Sequence, residues 1–342
     1  MRSTKFLLTT SVVMLALAGY KHTDSAGGGQ LDPGEPGGGG GGGGAVALVE
    51  GDLLAGEVWV DHAAAAALDE GKTLNADPAS NVASIAISYA DQTAQAAKPA
   101  AFSIKKNGAG GMDMTVNGET VSFAATDVSA DPDIAPFGWQ KDGDVYSDLY
   151  TYSGNKDGSD QHYLQVWSYH TSKDGEGTRS FAVVGVETPA SVVKSRANAT
   201  YTGAARAETA LADDASERTE VRGNLTLAAD FAKGSVSGAV GSLSGRESGN
   251  SGRTWSALQA VPGRIVLGDA AIGSNGFTGG AISLDAAATA ALGADISGST
   301  YSGRFYGPNA EQVGGVMNIA GTNGENEKIV GVGYFQGATQ DP

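Results

Sequence analysis

The chain is 342 residues long with a formal net charge of −16, and only 22 Lys+Arg are present to neutralise a phosphate backbone or an anionic lipid surface. That balance argues against nucleic acid and favours solubility outside the cell. The absence of cysteine excludes disulfides and thiolate chemistry, while 52 glycines with only 18% charged residues give the profile of turn-rich β structure.

Arg2 and Lys5 precede an apolar run from Phe6 to Ala18, short for a bilayer span and right for a secretory h-region, with Ala16-Leu17-Ala18 as a small-x-small cleavage pattern. Residues 1–18 are expected to be a signal peptide cut before Gly19. Leu17-Ala18-Gly19 also opens a bacterial lipobox, yet Tyr20 stands where the lipid-bearing cysteine would be. Residues 19–45 hold eight consecutive glycines, Gly37 to Gly44, and no apolar surface to offset ordering, so they read as a flexible tether.

From 46 to 194 the pattern is one of short strands. Ile85, Ile87 and Tyr89 alternate, as do Tyr163, Gln165, Trp167 and Tyr169, and Phe181 to Val186 reads as a strand buried on both faces. Asn107-Gly108, Asn117-Gly118, Asp142-Gly143, Asp157-Gly158 and Asp174-Gly175 each offer the positive-φ pair of a two-residue hairpin. Asp61 can cap a short helix over Ala63 to Ala67 that Gly71 ends. The pattern restarts after Pro189 and fills 195–342 with about eight strands. Leu225, Leu227, Ala229 and Phe231 share one face, Val236, Gly238 and Val240 another, and Asp285 to Leu292 form a helix or loop between two strands. Eight strands joined by tight turns close an up-and-down barrel whose interior side chains can just fill. The fold class is thus mainly β: a β-rich first module followed by an eight-stranded antiparallel barrel.

No catalytic constellation emerges. The four histidines, His22, His62, His162 and His170, form no H-x-x-H pair or metal-spaced set, and no Gly-rich phosphate loop opens a helix. The acidic turns at Asp142 and Asp144, and at Asn155, Asp157 and Asp160, depart from calcium-loop spacing and fit hairpins better. No catalytic residue and no metal ligand is assigned. An aromatic group in the first module, including Trp139, Tyr150, Trp167 and Tyr169, either packs that module's own core or presents a face to a ligand. As candidate ligand-binding residues these four stand with His170; His162 and His170 bracket one strand, and one of them could serve as an axial haem ligand, with no other cofactor expected.

The most individual stretch is Tyr301 to Gly315, a strand, an abrupt Gly-Pro-Asn turn and the next strand. With FAVVGVETPA (181–190), ATYTG (199–203), NGFTGG (275–280) and VGVGYFQG (330–337), the block GRFYGPNAEQVGG (303–315) resembles the transferrin-binding protein B group of Gram-negative surface lipoproteins, including related single-lobe haem carriers. The resemblance implies a lobe made of a β-rich handle and an eight-stranded barrel, with Gly303, Phe305, Tyr306, Gly307, Pro308, Glu311, Gly314 and Gly315 as structural motif residues. It further implies a non-enzymatic binding protein at the cell surface, associated with the outer membrane or secreted, that captures an iron source, as carrier protein or haem, for a TonB-dependent outer-membrane receptor. Transferrin-binding members resemble two such lobes in tandem, whereas this chain has room for one. A structural or adhesive surface module with no small ligand is the alternative from a different class.

Overall fold

The computed structural model describes residues 64, 68, 71–88, 91–95, 100–128, 138–141, 146–153, 163–249 and 254–339. By its internal contacts the chain divides into Met1–Gly44 and Ala45–Pro342, and every described residue falls in the second unit. The expected signal peptide, tether, His22, His62, His162 and the turns at Asp142 and Asp157 lie outside the described residues.

Among the described residues ten strands precede the barrel. They are β1 (Thr73–Ala76), β2 (Val82–Ser88), β3 (Thr93–Ala94), β4 (Phe102–Lys106), β5 (Met112–Val116), β6 (Glu119–Phe123), β7 (Gly138–Lys141), β8 (Tyr146–Ser153), β9 (Leu164–Lys173) and β10 (Glu176–Gly185). They build two antiparallel sheets, a four-stranded one in the order β1-β4-β5-β6 and a six-stranded one in the order β3-β2-β10-β9-β8-β7. Two of the expected hairpin turns form as read. Asn117 and Gly118 (φ 50° and 86°) join β5 to β6, and Asp174 and Gly175 (φ 53° and 83°) join β9 to β10. Asn107-Gly108 does not make a two-residue loop. The side-chain oxygen of Asn107 instead accepts from the backbone N–H groups of Ala109 and Gly111, holding a five-residue connection between β4 and β5.

After a short helix, α1 (Ala190–Ser195), the chain enters β11 (Ala199–Leu211), β12 (Arg218–Asp230), β13 (Ser235–Gly249), β14 (Thr254–Trp255), β15 (Gln259–Ala260), β16 (Ile265–Ile272) and β17 (Gly276–Leu284). Helix α2 (Ala286–Leu292) precedes β18 (Ala294–Asp295), β19 (Ser299–Tyr306), β20 (Gln312–Asn323) and β21 (Lys328–Thr339). The Asp285 carboxylate accepts the Ala288 N–H at 2.9 Å to start α2, and Gly293 ends it in the left-handed region. Eight long strands, β11, β12, β13, β16, β17, β19, β20 and β21, pair each with the next, and β21 returns to β11, so the barrel closes. β14 and β15 fold back onto β13, and β18 onto β20.

Three apolar cores follow from strand alternation. Inside the barrel, Phe277, Tyr301, Phe305 and Phe335 pack as a connected set of rings, with Phe305 also against Tyr201 and Phe231 at centroid distances of 5.9 and 5.0 Å. Glycines make room for these rings. A Cβ at Gly315 would stand 2.5 Å from the Phe335 ring, and one at Gly303 would stand 2.8 Å from Phe277. A second core lies between the barrel's outer wall, at Tyr306, Val316, Val330, Val332 and Tyr334, and the six-stranded sheet, at Ile85, Leu164, Val166, Phe181 and Val183. A third lies between the two sheets, where Val82, Trp167, Tyr169, Ala182 and Val184 meet Phe102, Ile104, Met114 and Phe123, covered by the helical residues Ala64 and Leu68. β10 is therefore buried on both faces from Arg179 to Val184, as the apolar run implied, but the expected burial does not extend to the end of that run: the strand stops at Gly185 and Val186 is 40% exposed.

Phe305→Ala empties the middle of the ring set and is expected to lower unfolding stability by about 3–5 kcal/mol, measured by urea denaturation. A fragment spanning residues 199–339 keeps its interior core apart from Val193 of α1, but it uncovers Val316, Val330, Val332 and Tyr334. It is expected to show a cooperative β-type thermal transition at a lower temperature than the whole chain, with self-association visible by sedimentation.

Candidate functional site at the junction of sheet and barrel

Of the candidate ligand-binding residues whose side chains are described, Trp139, Trp167 and Tyr169 lie together in the core between the two sheets and His170 lies on the opposite face of β9. On β9, alternation turns Trp167 and Tyr169 toward the four-stranded sheet, where both are buried. Trp167 stacks on Trp139 at 6.1 Å, Tyr169 stacks on Phe102 at 5.5 Å, and the Trp167 indole N–H donates to Gln165. Burial raises the Tyr169 phenol above its usual range. His170 shares the opposite face with Leu164 and Val166 and sits opposite Arg179 and Asp148, partly exposed. Tyr150 pairs with Gly138 and Ser168, and its side chain is outside the described set. Trp167 and Tyr169 thus belong to a packed core on one side of the strand, and His170 lies on the other side with Leu164 and Val166. A hydrophobic core between two sheets needs its largest rings, and this takes Trp167 and Tyr169 out of reach of a ligand.

The Tyr301 to Gly315 stretch, by contrast, converges on one place, where barrel meets sheet. Phe305 points inward, and its neighbour Tyr306 points outward into the second core, where its hydroxyl accepts from the Asn81 side-chain amide. Burial pushes the Tyr306 phenol well up, reinforced by the Glu187 and Asp77 charges and opposed by Arg304. Gly307 adopts φ 89°, donates to the Val186 carbonyl and accepts from the Thr188 hydroxyl, while a Cβ there would run into the Tyr163 ring. Pro308 is exposed, and Glu311 closes the turn by accepting from the backbone and side-chain N–H groups of Asn309 at 2.8 and 2.9 Å. Gly314 lets Val183 and Leu164 approach the barrel wall, with a Cβ there only 2.9 Å from Val183. Six of the eight motif residues, Gly303, Phe305, Tyr306, Gly307, Gly314 and Gly315, thus serve the barrel interior and its seat against the sheet, while Glu311 braces the turn and Pro308 is exposed.

Two charged clusters, neither evident from the sequence, fasten the same junction. Arg304 bonds Asp77, Ser80 Oγ (3.0 Å), Glu187 (2.7 Å) and Asn275 (2.7 Å), joining the β1–β2 turn, the strand exit before α1 and the β16–β17 turn. On the barrel's outer wall the buried carboxylates of Glu208 and Glu220 sit among arginines. Arg179 of β10 reaches Glu208 at 2.8 Å and 3.1 Å, Arg206 bridges both glutamates, Arg218 approaches Glu208 at 3.5 Å, and Arg222 and Arg246 bond Glu220. Burial alone would raise the Glu208 carboxyl, but the charges of Arg179, Arg206 and Arg218 outweigh it and hold it far below the usual carboxylate range. Glu220 is lowered too: Arg206, Arg222 and Arg246 overcome burial and the Glu208 charge. Cross-strand spacing could have signalled this cluster only if the hairpin register were known, since Arg206 faces Arg222 and Glu208 faces Glu220 across β11 and β12.

Among the described residues no group of three or more His, Asp or Glu side chains is placed to hold a metal, and no helix is long and apolar enough to cross a membrane. The architecture defines a class: a closed eight-stranded antiparallel barrel seated on a β-sheet layer by one glycine-rich hairpin corner. Residues 193–339 match the family model described as the C-lobe and N-lobe beta barrels of Tf-binding protein B, so this part of the chain is a barrel lobe of the transferrin-binding protein B type. Solved structures similar to the chain include transferrin binding protein B from serogroup B Neisseria meningitidis (19% identity, TM-score 0.39, covering 76% of this chain and 44% of that one). The double mutant Tyr-167-Ala and Trp-176-Ala of the protein from Haemophilus parasuis Hp5 matches at 16% identity and TM-score 0.38, covering 76% and 45%. Intact Ap-TbpB, with N and C lobes, matches at 17% identity and TM-score 0.38, covering 76% and 46%. The chain thus spans under half the length of these relatives. Comparison with curated proteins gives no match.

The two depressed carboxyls set the pH response. A carboxyl whose folded pKa lies below its unfolded value contributes fully above the unfolded pKa and loses that contribution as pH falls through the folded one. Stability should be level from neutral pH to about 5 and fall below about 4. Glu208→Gln should cost about 3–5 kcal/mol at neutral pH by stranding buried guanidinium charge, and should flatten the acid limb of a stability profile measured by urea midpoints.

Proposed function

We propose that the chain is an exported, non-enzymatic binding protein that captures an iron source, as a carrier protein or as haem, and hands it to an outer-membrane receptor of the TonB-dependent class. The observation that carries this reading is the match of residues 193–339 to the barrels of Tf-binding protein B. The signal-like Arg2 to Ala18 stretch and the glycine run after it support export and display at a distance from the membrane surface. Because the motif residues are consumed by barrel and junction, the ligand contacts fall to loops at the rims of barrel and sheets. Tyr20 in place of the lipobox cysteine favours release or non-lipid attachment.

One capture experiment tests the proposal. The mature protein is immobilised, exposed to outer-membrane extract of its own cell and to iron carriers including haem proteins, and the eluate is identified by mass spectrometry. A TonB-dependent receptor or an iron carrier retained specifically is the expected result. Recovery of polysaccharide or matrix protein alone would replace it with the adhesive reading, and reproducible turnover of an offered substrate would overturn the binding role.

A further inference from the structure

The arginine cluster on the barrel's outer wall holds more donor capacity than its two carboxylates use. Five guanidiniums, from Arg179, Arg206, Arg218, Arg222 and Arg246, surround Glu208 and Glu220 in a chain whose overall charge is strongly negative. Arg222 Nε bonds one oxygen of Glu220 and Arg246 Nη2 bonds the other, so these two arginines flank a single carboxylate. Arg222 Nη2 and Arg246 Nε are buried and donate to no described residue, and Arg222 as a whole is only 6% exposed. A buried charged donor left without an acceptor is costly, and guanidinium groups match oxyanions with paired N–H bonds.

The cluster also has an open side. Arg218 and Arg246 keep side-chain exposures of 17% and 19%, and both lie over the ring of Trp255, at 5.5 and 4.7 Å, where β14 folds back on β13. The indole orients the two guanidinium planes. We propose that Arg222 and Arg246, bordered by Arg218 and Trp255, form a binding site for a single oxyanion group, a phosphoryl group or a carboxylate. The site lies on the barrel wall and is independent of which partner the lobe captures.

The test uses the whole mature chain. Thermal unfolding is followed while inorganic phosphate or acetate replaces chloride at constant ionic strength, so that general screening does not change. Phosphate should raise the melting temperature saturably, by about 3–6 °C at a hundredfold excess over its Kd. Arg246→Ala should abolish most of that rise and Arg246→Lys should weaken it, while Arg264→Ala, at an exposed position just before β16, should leave it intact. The 31P line of phosphate should broaden with wild-type protein, which reads the site directly even if a variant folds poorly, and should sharpen again under acetate where carboxylates share the site. A rise with phosphate alone supports the site and assigns it to phosphoryl groups; a rise with both anions supports it and extends it to carboxylates. Equal phosphate response in wild type and Arg246→Ala, or an unbroadened 31P line, would overturn it.

Discussion

The lobe depends on one strand whose middle has no solvent face. β10 lies between the four-stranded sheet and the barrel, sending Phe181 and Val183 to the barrel wall and Ala182 and Val184 to the sheet-sheet core. Neither neighbour is covered without it. The barrel closes its own hydrogen bonds and fills its own interior, yet its outer wall at Val316, Val330, Val332 and Tyr334 is as apolar as a core and needs a cover. That requirement explains why polar fastenings cluster beside it: Arg304 and Arg179 each carry charge from one layer to carboxylates on the other, and a misplaced sheet would leave those charges buried and unpaired.

Much of this was legible from alternation. The barrel strands, the doubly buried run at Phe181 to Val184 and the turns at Asn117 and Asp174 rest on local rules, period two and positive φ at Asn-Gly or Asp-Gly. Asp285 to Leu292, by contrast, reads as helix or loop, and the structure makes it a helix capped by Asp285. The candidate site was not legible in the same way. Period two says that Trp167 and His170 point to opposite faces, but it does not say what covers each face, and an exposed aromatic face and a core read alike. Arg206, Glu208, Glu220 and Arg222 carry the opposite ambiguity, since an alternating charged strand reads as a solvated one. Only the pairing of β11 with β12 and the arrival of Arg179 from a separate sheet turn that pattern into a buried network.

The motif that carries the family likeness describes a joint. Phe305 and Tyr306, adjacent in sequence, anchor the barrel interior and the sheet face respectively, and Gly307 turns the chain where no side chain fits beside Tyr163. A sequence signature of this kind transmits the geometry of a lobe and leaves its rims free to differ, which is how one scaffold serves different ligands.

The filled interior has a mechanical consequence. An eight-stranded barrel can be a cup, holding a solute between its strands, or a solid post. Here the glycines at 303 and 315 give up their side-chain volume to Phe277 and Phe335, so the rings meet across the axis and leave a continuous aromatic column. Close-packed matter of that sort deforms little under load. A pull applied to a loop at one rim would be carried through these packed rings and along the β19–β20 corner into the sheets with little deformation between.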